Sequence, residues 1–428
     1  MNTVIGLDFG TTNSALAVAA SNGTVSLARF QDGASTTNTF KSIIYFPDKK
    51  QEPPAAAKPV AGPDAIRRYL EADTKGRLIQ SIKSYLASRL FTHTVINGRS
   101  YTIEDLIAII LRQLREASHT QFGELGTRVV FGRPVNFSGA EKPEDEAFAL
   151  ERLRASAATA GFENISFEFE PIAAAYHYER QLDHDELVLI GDFGGGTSDF
   201  TLIRLGPSRR RDEHHRSHIL GTDGLGVAGD TFDSRSMMQL VAPRLGLGSR
   251  YRSLGRELSV PVWIYSKLAN WHLMSFLKTP ETMSVLNQVR SQAVEPEKIE
   301  AVIHVVKNNL GYKLYRAVER TKVELTERET GRFAFTDYPV EIEASVEQWQ
   351  FESWIQQDVQ AIAACVERLL KNANVTARDV DSVFLTGGTS FVPVVRRFFQ
   401  KRFGADRLRS GDELTTVAKG LALCALDR

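Results

Sequence analysis

Short unbroken apolar runs dominate the start of the chain. Thr3–Leu7 and Ala15–Ala19, joined by a turn of glycine and threonine, predict two buried strands, and Gly23–Phe30 continues the meander. From Thr36 to Pro63 the chain is rich in Lys, Pro and Ala around one strand-like stretch, Ser42–Phe46, and reads as an excursion from the core. In Lys75–Leu90 the period changes. Leu78, Ile79, Ile82, Leu86 and Leu90 recur at three and four residues, which predicts an amphipathic helix with Lys83 beside its apolar stripe. Tyr101–Arg115 predicts a second such helix, Arg128–Phe131 a buried strand, and Glu146–Ala160 a helix stopped by Gly161.

The opening pattern then restarts near mid-chain. Glu186–Ile190 predicts a strand, Gly194–Gly196 a turn, Phe200–Leu205 a returning strand, and His218–Gly221 a further one after a polar tip. Such a restart is what a two-lobed protein with related halves would show. Beyond Asp230 the chain reads as mostly helical to Arg328, through Trp263, Trp271 and the strongly patterned Tyr312–Leu325. Val383–Leu385 reads as a buried strand, Val394–Phe403 as a helix and Thr416–Leu426 as a short apolar helix.

Composition narrows the partners. The chain has 428 residues, 43% of them hydrophobic, enough for sizeable cores. Basic and acidic residues balance at 52 each, which removes the electrostatic argument for nucleic acid or an anionic membrane as main partner. The basic spot at Arg209–Arg211, His214, His215, Arg216 and His218 reads as a solvated hairpin tip without interleaved aromatics. Cys365 and Cys424 form no Cys-x-x-Cys pair, which argues against a disulfide framework or a zinc site. Met1 runs directly into an apolar strand, without a signal-peptide pattern, and the expectation is a soluble cytoplasmic chain.

Three turns carry the candidate chemistry: Gly10-Thr11-Thr12-Asn13, Gly194-Gly195-Gly196-Thr197 and Gly387-Gly388-Thr389. Small or missing side chains let a phosphate approach the backbone N–H groups of such turns. Asp8 and Asp192 precede the first two turns, and a carboxylate beside a polyphosphate calls for a divalent cation. Magnesium, held through its waters, meets that need. Asp-Phe-Gly occurs twice, but no His-Arg-Asp accompanies it, which removes a protein-kinase reading. Gly224–Gly229 matches the dinucleotide fingerprint in letters while lacking the first-strand position and the acidic second strand.

These residues resemble the ATPase domain of the seventy-kilodalton heat-shock chaperones, the DnaK type, over nearly the whole chain. "IGLDFGTTNS" and "DFGGGTSDF" are similar to that family's phosphate motifs, "LTGGTSFVP" to its adenosine motif, "FEPIAAAYHY" to its connecting helix and "GVAGDTFD" to its Gly-Gly-Glu-Asp-Phe-Asp. The resemblance implies an α/β, actin-like ATPase fold: two pseudo-duplicated RNase H-like lobes around a nucleotide cleft. Lobe I would span residues 1–184, with an outer subdomain at about 38–112, and lobe II residues 185–428, with an outer subdomain at about 228–355. It also implies ATP or ADP with Mg2+, and K+ as an accompanying cation.

Carried over by position, the resemblance gives Thr11 and Thr12 to the phosphates, Asp8 and Asp192 to hydrated magnesium, and Lys83 to the γ-phosphate. Glu170, Thr197 and Asp199 would order the attacking water, although Glu170 equally suits a cap on the helix that Pro171 begins. Glu319, Lys322 and Thr326 would belong to the helix over adenosine, with Glu319 and Lys322 also spaced as a surface ion pair. Gly387 and Gly388 would lie under the ribose and α-phosphate.

Departures from the pattern are specific. Phe391 stands where the chaperones usually carry Arg and Val323 where some members stack an Arg on adenine, Asp412 and Glu413 fall too early for the family's acidic residue, and the stretch from Asp233 to Glu319 is longer than the family needs. The chain ends at Arg428 without the family's peptide-binding domain, as in stand-alone bacterial DnaK-like proteins of the YegD type, so an ATPase with an unknown protein client or regulator is expected. A small-molecule kinase and an ATP-timed actin-like structural protein share the fold and stand as alternatives.

Overall fold

Val4–Phe9 is buried along nearly its whole length, which places it at the centre of a sheet covered on both faces. In the computed structural model it pairs antiparallel with Asn13–Ala19, which pairs antiparallel with Val25–Leu27. On its other side it pairs parallel with Arg128–Arg133, which pairs parallel with Asn164–Phe169. A second sheet repeats the arrangement. Its central strand, Glu186–Phe193, is antiparallel to Ser198–Leu205, which is antiparallel to Ile219–Leu225, and parallel to Ser382–Thr386, which is parallel to Leu408–Arg409. Asp8 and Asp192 are the penultimate residues of the two central strands, so the repeated pattern in sequence is a repeated position in space.

The structure describes residues 3–32, 35–48, 58–72, 76–123, 125–179, 182–208, 218–253, 255–270, 273, 277–409 and 415–427. The chain forms two compact units. The first comprises Met1–Gly226, Ala364–Ser390 and Arg397–Arg428 and holds both sheets; the second comprises Val227–Ala363 and Phe391–Arg396. The 184/185 junction therefore lies inside the first unit. The basic run Arg209–Arg211 with His214, His215 and Arg216, together with Trp271, Asp412 and Glu413, lies outside the described residues.

Helices hold the first unit's sheets. Ile103–Phe122 starts at a capping box, in which the Thr102 side chain accepts from the Asp105 N–H and Asp105 answers to the Thr102 N–H. It buries Leu106, Ile110 and Leu114 in the same core as Ile5, Leu7 and Phe131. On the opposite side, Ala418, Leu421 and Ala422 of the helix Thr416–Asp427 join Val4, Ala17 and Val130. The helix Glu170–Glu179 serves both sheets: Ala173 and Ala174 belong to that second core, whereas Ile172 and Ala175 pack with Val188, Ile190 and Ile203.

One expected helix is absent. Arg77–Gln80 is a strand paired with Ile43–Phe46, and Ile82–Tyr85 is a single 3-10 turn. Ser81, at φ 58° in the left-handed region, breaks the segment between them, and Leu90 is 97% exposed. A short apolar run fits either period, and here it pairs with the distant strand Ile43–Phe46.

In the second unit the helices Pro280–Gln292, Pro296–Lys307 and Gly311–Glu327 run as expected. The stretch before them is less helical than the pattern predicts, since Arg250–Ser253 and Arg256–Ser259 form an antiparallel hairpin. The glycines of Gly224–Gly229 fall at the end of Ile219–Leu225 and the start of the helix Gly229–Ser236.

Candidate functional site

The two central strands deliver their aspartates to one acidic cluster in the first unit. Asp192 lies opposite Asp199 on one neighbouring strand and Thr386 on the other. Thr386 Oγ1 donates to Asp192 Oδ1 at 2.7 Å, and Thr197 Oγ1 donates to Asp199 Oδ2 at 2.9 Å. Lys83, carried by the 3-10 turn, sends Nζ to Glu170 Oε1 at 2.8 Å, with both side chains only 10% exposed. Glu170, the first residue of its helix, is thus engaged by Lys83. Glu170, Asp192 and Asp199 line a cleft enclosing about 350 Å³, open solvent included, together with Pro134, Val135 and Asn136.

Charge in this cluster is unbalanced. Burial, reinforced by Glu170 and Asp192 and opposed by Lys83, pushes the Asp8 carboxyl up to about 8. Burial and the charge of Asp192 push Asp199 up to about 7, against the hydrogen bond from Thr197. Asp192 is also raised, by burial and Glu170, while the Thr386 bond and Lys83 pull it back. For Lys83 burial works downward, yet Glu170, Asp8 and Asp192 together hold its ammonium above the usual lysine range.

The raised carboxyls around one ammonium can be balanced by protons or by further positive charge, and a divalent cation fits the second case. Among the described residues no three His, Cys, Asp or Glu side chains converge to hold a metal ion directly; carboxylates that do not converge would meet such an ion through its waters. Asn13 Oδ1, buried without a hydrogen-bond partner among the described residues, is an acceptor suited to such a hydration shell.

The raised carboxyls set a pH dependence. A carboxyl with a folded pKa above its unfolded value binds more protons in the native state, so stability falls as pH rises between the two values. For Asp8 that window runs from 3.8 to about 8. Without nucleotide or magnesium, thermal melts should show a stability gain on going from alkaline to mildly acidic pH, and Asp8→Asn should flatten it. An unchanged profile in the variant would remove Asp8 as the cause.

The turns beside the cluster are held by hydrogen bonds, one set from a distant residue and one within the turn. Ser42 N–H donates to Thr12 O at 2.9 Å and Ser42 Oγ to Gly10 O at 2.7 Å, which fixes the Gly10–Asn13 turn. Gly194 N–H donates to Thr197 O at 2.8 Å, closing the turn around Gly195 and Gly196. Gly387 has φ +82°, and a Cβ there would stand 2.0 Å from Phe193 O, so only glycine fits between the two strand ends. Gly388 and the buried Thr389 follow in a 3-10 turn.

Glu319, Lys322 and Thr326 belong to the second unit and find partners there. Lys322 Nζ pairs with the buried Asp233 at 2.8 Å, Glu319 with Arg316 at 2.6 Å, and Thr326 Oγ1 donates to Val323 O at 2.7 Å. Burial is the main reason Asp233 rises to about 6. Val323 and Phe391 are exposed. Two residues escaped the sequence reading: Thr386, visible only as the last residue of an apolar strand, and Asn136, which lies in none of the quoted motifs.

Paired sheets of one strand order, each presenting an aspartate beside a glycine-hydroxyl turn, define an actin-like ATPase fold. The sequence profile described as Hsp70 protein matches residues 4–211 and 286–426. The chain therefore belongs to the Hsp70 family. It is 25% identical to the chaperone protein DnaK of Thermosipho africanus over 424 residues, which cover 99% of this chain and 58% of that protein. It is 24% identical to those of Thermotoga petrophila and Thermotoga maritima, again over 99% of this chain and 59% of each relative. The chain thus spans less than three fifths of the curated relatives it matches. Residues 212–285 stay outside the profile, a stretch that overlaps the expected extra length and begins before it.

Proposed function

We propose that the chain binds Mg-ATP in the first unit and hydrolyses it to ADP and phosphate, coupling the nucleotide state to an unknown protein client or regulator. The observation that supports this best is the Lys83–Glu170 pair facing Asp8 and Asp192 at matched ends of duplicated strands. The turns around Gly10, Thr11, Thr12, Gly194, Gly195 and Gly196 offer backbone N–H groups to phosphate oxygens, and Lys83 lends its charge to the γ-phosphate. Magnesium, when bound, would offset charge on the phosphates, with Asp8 and Asp192 holding its hydration shell. Asp199, its carboxyl pushed up to about 7 and hydrogen-bonded by Thr197, would take a proton from water at neutral pH. Gly387, Gly388 and Thr389 are assigned to the ribose side.

Because the site draws on both sheets of the first unit, ATP and ADP can favour different arrangements of them, and a partner that reads the difference becomes coupled to turnover. No helix among the described residues is long and apolar enough to cross a membrane. Single-turnover hydrolysis of labelled ATP tests the reading: native protein should form ADP with magnesium and lose that activity in excess EDTA, recovering it when magnesium is restored. ATP that binds and stays intact under all these conditions would overturn it.

A further inference from the structure

The hairpin of the second unit lies within residues 212–285, the stretch outside the family profile, and leaves one strand edge open. Val260 N–H donates to Ser249 O at 3.0 Å, which marks these two as a hydrogen-bonded pair. Alternation along an antiparallel ladder makes Leu258 with Tyr251 and Arg256 with Ser253 bonded pairs too. The backbone N–H and C=O of Glu257 and Ser259 then point away from the hairpin. The opposite edge is already used: Arg250 O accepts from Val294 N–H at 2.8 Å, and Tyr251 bridges to Ala293. All four residues of Arg256–Ser259 are exposed, and among the described residues no strand pairs with their outer side.

Charge around this edge is predominantly positive. Between Arg244 and Lys267 the chain carries Arg250, Arg252 and Arg256 against a single acid, Glu257. Glu257 is shared with Arg250 at 3.2 Å between exposed side chains, whereas Arg252 and Arg256 make no ion pair among the described residues. Apolar side chains are open beside them: Leu258 is 43% exposed, Val262 55% and Val294 54%. Trp263 is exposed as well, with Lys267 Nζ 5.1 Å from its ring centre.

We propose that this edge takes up an acidic, extended segment of a partner protein as an added strand alongside Arg256–Ser259. The outward backbone groups of Glu257 and Ser259 would supply the ladder, and side chains on one face of the segment would meet Arg256 and Leu258 on the edge strand. A chain lacking acidic groups would leave the guanidinium charges unanswered, so the positive rim selects the partner's sign. The proposal does not depend on nucleotide turnover.

The test is fluorescence anisotropy of the full chain with a labelled peptide of about twelve residues that alternates Glu with Val or Thr. Binding that weakens with salt is expected, and at least about tenfold weaker binding of the same peptide with Lys for Glu. Ser259→Pro removes an outward N–H while leaving the inward bonds, and should weaken the acidic peptide by about tenfold or more. Arg252→Glu with Arg256→Glu should do the same and flatten the salt dependence. Circular dichroism melts matching the native protein would show that the variants fold. The proposal is overturned if the acidic peptide does not bind, if both variants bind it as the native protein does, or if single-stranded nucleic acid displaces it. Sedimentation that finds a dimer abolished by Ser259→Pro would instead assign the edge to a second copy.

Discussion

Lys83→Ala is expected to slow single-turnover ATP hydrolysis by about 10²–10³ while ATP binding remains measurable. Lys83 is the ammonium that Asp8, Glu170 and Asp192 all hold in its charged form, and it sits with little solvent to screen it. Phosphoryl transfer is accelerated chiefly by positioned charge, so removing that charge should reduce the chemical step more than affinity, for which the backbone turns remain. Lys83→Arg should restore only part of the rate, because a planar fork does not replace a point charge aimed at Glu170 Oε1. Rapid-quench measurement of ADP and equilibrium binding of ATP separate the two effects. A variant that hydrolyses ATP as fast as the native protein would remove Lys83 from the chemistry.

Gly420→Val should cost at least about 3 kcal/mol of stability, enough to lower the melting temperature by several degrees or prevent folding. The helix Thr416–Asp427 touches its neighbours backbone to backbone: a Cβ on Gly420 would stand 1.8 Å from Ala173 O, and one on Gly6 would stand 2.2 Å from Ala422 N. Neither neighbour is a flexible side chain that could swing aside. Ala173 belongs to the helix that begins with Glu170, so displacing it also moves the carboxylate that orients Lys83. Thermal melts followed by circular dichroism check the stability, and a variant melting with the native protein would show that the helices separate more easily than this packing implies.

The elements read correctly from sequence are those with a long or unambiguous pattern. Strands such as Val4–Phe9 and Glu186–Phe193 are continuous apolar runs, and Ile103–Phe122 carries both the helical period and a start signal. Arg77–Gln80 was misread because its four residues fit both periods and its partner, Ile43–Phe46, is far away in sequence. The hairpin Arg250–Ser259 was missed for a related reason, since its strands are short and interrupted by arginine. Within the candidate site, Asp8 and Asp192 were legible because each interrupts an apolar run just before a glycine turn. Thr386 was not, since a threonine closing a strand is ordinary until Asp192 appears beside it.

Sequence by itself determined the repeated unit of this protein, a buried strand ending in aspartate, a glycine-hydroxyl turn and a returning strand, because local sterics and apolar patterning suffice to specify it. Tertiary structure alone decided the partners of the charged groups. Lys83 and Glu170 are 87 residues apart in the chain yet within a hydrogen bond of each other, and Lys322 is engaged by Asp233 rather than by Glu319 at the helical spacing. The reason is that ion pairing depends on distance and burial, and both are set by how strands and helices from remote parts of the chain pack together.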